Sequence, residues 1–199
     1  LAAQGIFFAL CIAGGYWLNG KSFSGYGAIL QDTGLKSDFV GKYGAGLAIM
    51  NVGVYGLMIT AYYIAVNALM GNVFGGFNGV TLGIVFCMVC FGAAGAHPGN
   101  IWPIMAGYMA ASFIATQVVG GPFAVNAQAI MVGLCFASGL APIAGVYGWW
   151  AGVIGGAAHY ALVTSVPAIH GGFSLYNGGF TALVIAVILV PQLESFCKT

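Results

Sequence analysis

Three histidines, His97, His159 and His170, are the only side chains between Tyr43 and Leu193 whose ordinary pKa lies near neutrality. His97 opens the run His97-Pro98-Gly99-Asn100-Ile101-Trp102-Pro103. His170 opens His170-Gly171-Gly172-Phe173-Ser174-Leu175-Tyr176-Asn177-Gly178-Gly179-Phe180. Both runs mix hydrogen-bonding side chains, aromatic rings and residues that break a helix. An asparagine at such a break can cap the helix that follows. The free N–H groups of that helix end can then hold an anion or a polar neutral solute. His170, Tyr176, Asn177, His97 and Asn100 are therefore candidate site residues. Asn78 joins them, because Phe77-Asn78-Gly79 and Tyr176-Asn177-Gly178 are matching triplets, each preceded by a Gly-Gly pair. His159 completes the set. It lies inside an apolar run beside Tyr160, where an ionisable group is costly and marks function.

Other chemistries lack their parts. Cys87 and Cys90 form a C-x-x-C, but within an apolar run and without the second ligand pair that zinc needs. Haem would need suitably facing axial ligands. The sequence offers no nucleotide-binding loop, Ser-His-Asp set or carboxylate pair. We expect neither an enzyme nor a cofactor or metal. The net charge of +1 suggests no nucleic-acid partner.

The elements that must position these residues are apolar helices. From Tyr43 to Leu193 there is no Asp, Glu, Lys or Arg, and 61% of the chain is hydrophobic against 4% charged. Those values describe a protein whose solvent is mostly lipid. The apolar runs are long and do not alternate, which argues against a membrane barrel. A span needs about 20 apolar residues, and candidates fall at 3–18, 43–69, 79–96, 101–119, 123–144, 147–166 and 177–191. The expectation is an all-α, polytopic integral membrane bundle of about seven spans, with broken or re-entrant helices. It forms one transmembrane domain over residues 1–199. Residues 22–42, with both aspartates, read as an interfacial segment. Lys21, Lys36, Lys42 and Lys198 fall on one side under a seven-span count, which the positive-inside rule makes cytoplasmic. The 34 glycines, as in Gly152-Val153-Ile154-Gly155-Gly156 and Gly92-Ala93-Ala94-Gly95, read as close-packing faces.

The chain also echoes itself. Cys90-Phe91 through Ala106-Gly107 aligns, 45 residues on, with Cys135-Phe136 through Ala151-Gly152, each reading as helix, break, aromatic and helix. With the paired Asn-Gly triplets this favours an internal repeat.

The blocks at 97–105, 139–149, 170–180 and Ile29-Leu30-Gln31-Asp32-Thr33-Gly34 resemble a family of uncharacterised bacterial membrane proteins. That family is defined only as a domain of unknown function, and its longer members look like two tandem copies. The resemblance implies one copy here, half of a duplicated transporter, in the bacterial inner membrane. Gly75-Gly76-Phe77-Asn78-Gly79-Val80-Thr81-Leu82-Gly83 is also similar to the Gly-Tyr-Asn-Gly-x-Leu-x-Gly stretch of urea channels. Their Asn-Pro-x-Ser-Gly signature is absent, so only a duplicated channel architecture carries over.

Missing intramembrane carboxylates argue against proton-coupled carriers and cation channels. The expected function is a channel or facilitator for a small polar, neutral or weakly charged solute. It would work in a lipid bilayer with a homo-oligomeric partner or a second homologous half. The alternative is a structural or assembly subunit of a larger membrane complex.

Overall fold

The computed structural model describes residues 1–71, 78–122, 124–169 and 177–197. It is all-helical, with no strand among the described residues. The helices are α1 (Ala2–Leu18), α2 (Tyr26–Ile29), α3 (Phe39–Tyr43), α4 (Ala45–Met70), α5 (Gly79–Cys90), α6 (Pro98–Phe113), α7 (Gln128–Phe136), α8 (Ala141–Tyr147), α9 (Trp149–Ile169) and α10 (Asn177–Cys197). Short 3₁₀ turns follow α5 at Phe91–Ala93 and α7 at Ala137–Leu140. A π turn extends α6 over Ile114–Val118.

Among the described residues, four helical stretches are long and apolar enough to cross a membrane: Ala45–Met70, Pro98–Val118, Gln128–Tyr147 and Asn177–Phe196. Ala2–Leu18 and Gly79–Ala93 are apolar but shorter. This is a helical membrane protein, and the bilayer is the environment its surface fits. By length and hydropathy the candidate spans among the described residues number four, where the sequence led us to expect about seven.

Local signals explain the boundaries. The Asn78 carboxamide oxygen accepts from the Val80 and Thr81 N–H groups, and Thr81 answers the Asn78 N–H, so α5 opens on a reciprocal cap. Pro98, at the first position of α6, costs no helical bond there. Gly148 has φ +91°, a conformation open to glycine, and separates α8 from α9.

Glycine sets the packing. α1 runs antiparallel to α4, with Phe8 against Gly53 and Gly56 and Gly15 against Gly46 and Met50. α6 runs parallel to α9: Pro103 meets Gly152, Ile104 meets Gly156, and Tyr108 meets His159. A Cβ on Gly107 would strike the Val153 carbonyl, and one on Gly156 the Ile104 carbonyl. Gly155, on the same helix, makes only ordinary contacts, at 3.7 Å to Leu140 and 3.8 Å to Leu189. The core around these contacts is unusually rich in tyrosine, with Tyr55, Tyr63 and Tyr108 fully buried.

Gly156→Val should therefore separate α6 from α9 and destabilise the protein by about 1–3 kcal/mol. Gly155→Ala should lie within about 1 kcal/mol of wild type. Thermal unfolding midpoints in detergent check the pair.

Candidate functional site

The sequence's candidate residues divide between the two ends of the bundle. At one end, residues 19–44 form a folded segment around Asp32, which is 7% exposed. Its Oδ1 accepts from the Gly34 N–H at 2.7 Å and the Ser37 hydroxyl at 2.6 Å. Its Oδ2 accepts from Lys42 Nζ at 2.5 Å and the Tyr43 hydroxyl at 2.7 Å. Gly34 packs on Gly95, and the Thr33 carbonyl sits where a Cβ on Gly145 would be. The peptide 32–34 is thus a wedge between α8 and the turn that opens α6.

His97 and Asn100 belong to this knot. His97 Nδ1 accepts from the Gly99 N–H at 3.1 Å, so Nε2 carries the proton and donates to the Asp32 carbonyl at 2.8 Å. Asn100 accepts from the His97 N–H at 2.9 Å and donates to the Gly95 carbonyl at 2.8 Å. Both side chains are 1% exposed, and their bonds run to backbone around the turn. Nearby, Asn51 donates to the Gly92 and Ala96 carbonyls at 2.7 and 2.8 Å and so ties α4 to the same turn.

The charges here are displaced from their ordinary ranges. Burial raises the Asp32 carboxyl, but hydrogen bonds from Lys42, Ser37, Tyr43 and Gly34 outweigh it and hold it well below the usual carboxylate range. The bond to Asp32 raises Lys42. Burial lowers the His97 imidazole. A depressed folded-state pKa stabilises above the unfolded value, and that stability is lost as pH falls. A raised lysine stabilises below its unfolded value, and that is lost as pH rises.

At the other end, α5, α7, α9 and α10 line a partly open cavity of about 490 Å³. Gln128, Thr164, Asn177, Val80, Phe136 and Pro167 are among its lining residues. Asn78 joins it through Gln128 Nε2, which donates to Asn78 Oδ1 at 2.9 Å. Asn177 donates to the Val163 carbonyl at 2.8 Å and is 9% exposed. His159, fully buried, has its Nε2 3.0 Å from the Gly178 carbonyl, which can only accept, so Nε2 is the protonated nitrogen. α10 thus begins beside the middle of α9, and residues 164–169 run on past its start. The first N–H groups of an α-helix have no intrahelical partner, and that end is partially positive.

Asn177 therefore lines the cavity, Asn78 is tied to it through Gln128, and His159 bonds the Gly178 carbonyl at its wall, while His97 and Asn100 sit in the knot. His170 and Tyr176 lie outside the described residues. Gln128 and Thr164 were not singled out by sequence spacing; Gln128 opens α7 after a break, which was the available signal. Among the described residues no three His, Cys, Asp or Glu come together as metal ligands.

Fold and cavity define an all-helical membrane protein with a mainly apolar recess into which Gln128, Thr164 and Asn177 bring polar side chains. A family model described as Protein of unknown function (DUF1576) matches residues 18–195, and the chain belongs to that family. No curated protein and no solved structure matches it.

His97→Asn keeps a side-chain oxygen for the Gly99 N–H but cannot reach the Asp32 carbonyl. It should cost about 1–3 kcal/mol. The wild-type unfolding midpoint should fall as pH drops below about 6.5, the ordinary histidine value. His97→Asn should make that fall shallower. Melting curves across pH 4–8 check both.

Proposed function

We propose that the protein is a channel or facilitator for a small polar, neutral or weakly charged solute, with the cavity between α5, α7, α9 and α10 as its binding position. The observation that carries this reading is the meeting of two asparagine-opened helix starts, α5 and α10, at one recess in a membrane protein. Transporters use interrupted helices in this way, aiming half-helix ends at a solute near the midplane. Irregular backbone inside a bilayer is tolerated where it lines such a space.

The seven-span reading fits the alternation of α1, α4, α5, α6, α7 with α8, α9 and α10 between the knot end and the cavity end. α5 and α10 are then the interrupted members. The repeat reading is supported by local form: Cys90 and Cys135 each stand at the end of a helix that passes into a 3₁₀ turn. Lys21, Lys36 and Lys42 stand on the segment at the knot end, which the positive-inside rule assigns to the cytoplasm. A second copy or homologous half would complete the pore, as the tandem resemblance implies.

The recess holds hydrogen-bonding groups without formal charge, which suits a polar neutral or weakly charged solute. Passage would be downhill, without catalysis. In proteoliposomes the protein should accelerate small polar solutes over protein-free vesicles. Gln128→Ala and Asn177→Ala should each slow that flux about tenfold, the worth of one lost hydrogen bond. Flux unchanged by both substitutions would remove the cavity from the pathway.

A further inference from the structure

Each polar side chain at the recess between α5, α7, α9 and α10 has its direction fixed by the protein. Asn78 Oδ1 accepts from the Val80 and Thr81 N–H groups, so that atom is the oxygen. Gln128 must therefore turn its amide nitrogen toward it, at 2.9 Å, and Gln128 Oε1 is left without a protein donor among the described residues. Asn177 is held in the same way. The Val163 carbonyl can only accept, so Asn177 Nδ2 faces it at 2.8 Å. The one donor near Asn177 Oδ1 among the described residues is the Thr181 hydroxyl at 3.4 Å, and its proton goes to the nearer Asn177 carbonyl at 2.7 Å. Thr164 directs its proton to the Tyr160 and Ala161 carbonyls, each 3.0 Å from Oγ1.

Gln128, Thr164 and Asn177 thus bring three oxygens to one recess while their donors are turned to the protein. Asn177 is 9% exposed, and an oxygen so buried is costly to leave unmade. The fixed requirement on a ligand is therefore a hydrogen-bond donor. One hydrogen of each carboxamide stays outside those bonds, so a group that both gives and accepts a proton fits best. A hydroxyl does both.

The rest of the wall is apolar, with Val80, Ile130, Val132, Phe136, Val163 and Pro167 lining it. From Gln128 to Phe136 the α7 wall is about 12 Å long at the helical rise. After Gln128 none of its lining residues has a polar side chain. A solute polar over its whole surface would leave most of its groups unpaired against this wall. A cation would meet no carboxylate among the lining residues and would face the partially positive start of α10. An anion or a pure acceptor would face the three oxygens. The volume of about 490 Å³ lies in the range of small-molecule sites, which are mostly apolar with a few placed polar groups.

We propose that the recess binds a neutral alcohol or phenol, with its apolar body against α7 and Val163 and its hydroxyl among the oxygens of Gln128, Thr164 and Asn177. The assignment rests on the channel reading and narrows its solute to amphipathic hydroxyl compounds.

Benzyl alcohol, benzyl methyl ether and glycerol separate the two requirements. The ether keeps the body and loses the donor, and glycerol keeps hydroxyls and loses the body. Ala129→Cys, at an exposed position of the wall, reports occupancy in the full chain with Cys11, Cys87, Cys90 and Cys197 replaced by serine. In nanodiscs, benzyl alcohol should slow its reaction with a thiol reagent at about one-tenth the concentration that either other probe needs, the effect of one hydrogen bond. Equal protection by alcohol and ether removes the donor requirement and overturns the proposal. Equal protection by alcohol and glycerol removes the apolar body and overturns it too. Thr164→Val and Gln128→Leu each remove an oxygen with little change of shape. At least one should raise the alcohol concentration needed about tenfold, and neither should change that of the ether. An alcohol concentration unaffected by both overturns the proposal. The comparison of probes needs neither variant to fold. Protection by none of the three overturns the ligand class, and flux of small polar solutes in proteoliposomes then decides the channel separately: flux leaves the channel standing, and its absence removes both.

Discussion

Asp32 is the one buried carboxylate among the described residues, and its need for partners organises one end of the molecule. A charge held at the edge of lipid is tolerable only when fully hydrogen-bonded. Four donors meet that demand: Gly34, Ser37, Lys42 and Tyr43. Their closure turns the backbone at 32–34 inward, between Gly95 and Gly145. The Asp32 carbonyl then receives His97, which fixes the His97 tautomer and the first turn of α6. From there the geometry is passed on by contact. α6 lies against α9 through backbone approaches at Gly107 and Gly156, and α9 holds the start of α10 through His159 and Val163. The position of Asn177 at the cavity is thus set by a chain of contacts that begins at an aspartate on the opposite end.

The same economy of charge governs the interior. Between the knot and the cavity the buried polar groups are tyrosine, serine and threonine hydroxyls, the Gln4 amide, one thiol and an imidazole. Such groups discriminate by donor and acceptor pattern rather than by charge, and an ion crossing them would meet no compensation. Rigidity there comes from backbone-to-backbone packing, because glycine contacts leave little room for rearrangement.

Much of this was written in short-range patterns. Asn78 with Thr81, Pro98 after His97, and glycines at helix ends mark boundaries within a few residues, and the helices begin and end there. Gly156 marks a packing face because its neighbours are the Ile104 backbone, and Gly152 because the Cβ atoms of Ala144 and Pro103 close on it; Gly155 shares the pattern but not the contact. The knot was legible only as an interfacial segment. The donors to Asp32 are spread from Gly34 to Tyr43, and its carbonyl's partner lies 65 residues away. Likewise Gln128 gains its role from Asn78, 50 residues distant. The paired Asn-Gly triplets were legible as helix starts but not in their difference. Asn78 turns its oxygen to its own helix, whereas Asn177 turns its amide across to α9.

The central claim is that the recess at Gln128 and Thr164 is a wet solute position rather than a gap filled by lipid. Cysteine accessibility tests it most directly, in a background with Cys87 and Cys90, both exposed, replaced by serine. Thr164→Cys should react with a charged, membrane-impermeant thiol reagent in sealed vesicles. Leu183→Cys, on the outward face of α10, should not. Reaction at Leu183→Cys with none at Thr164→Cys would contradict the account.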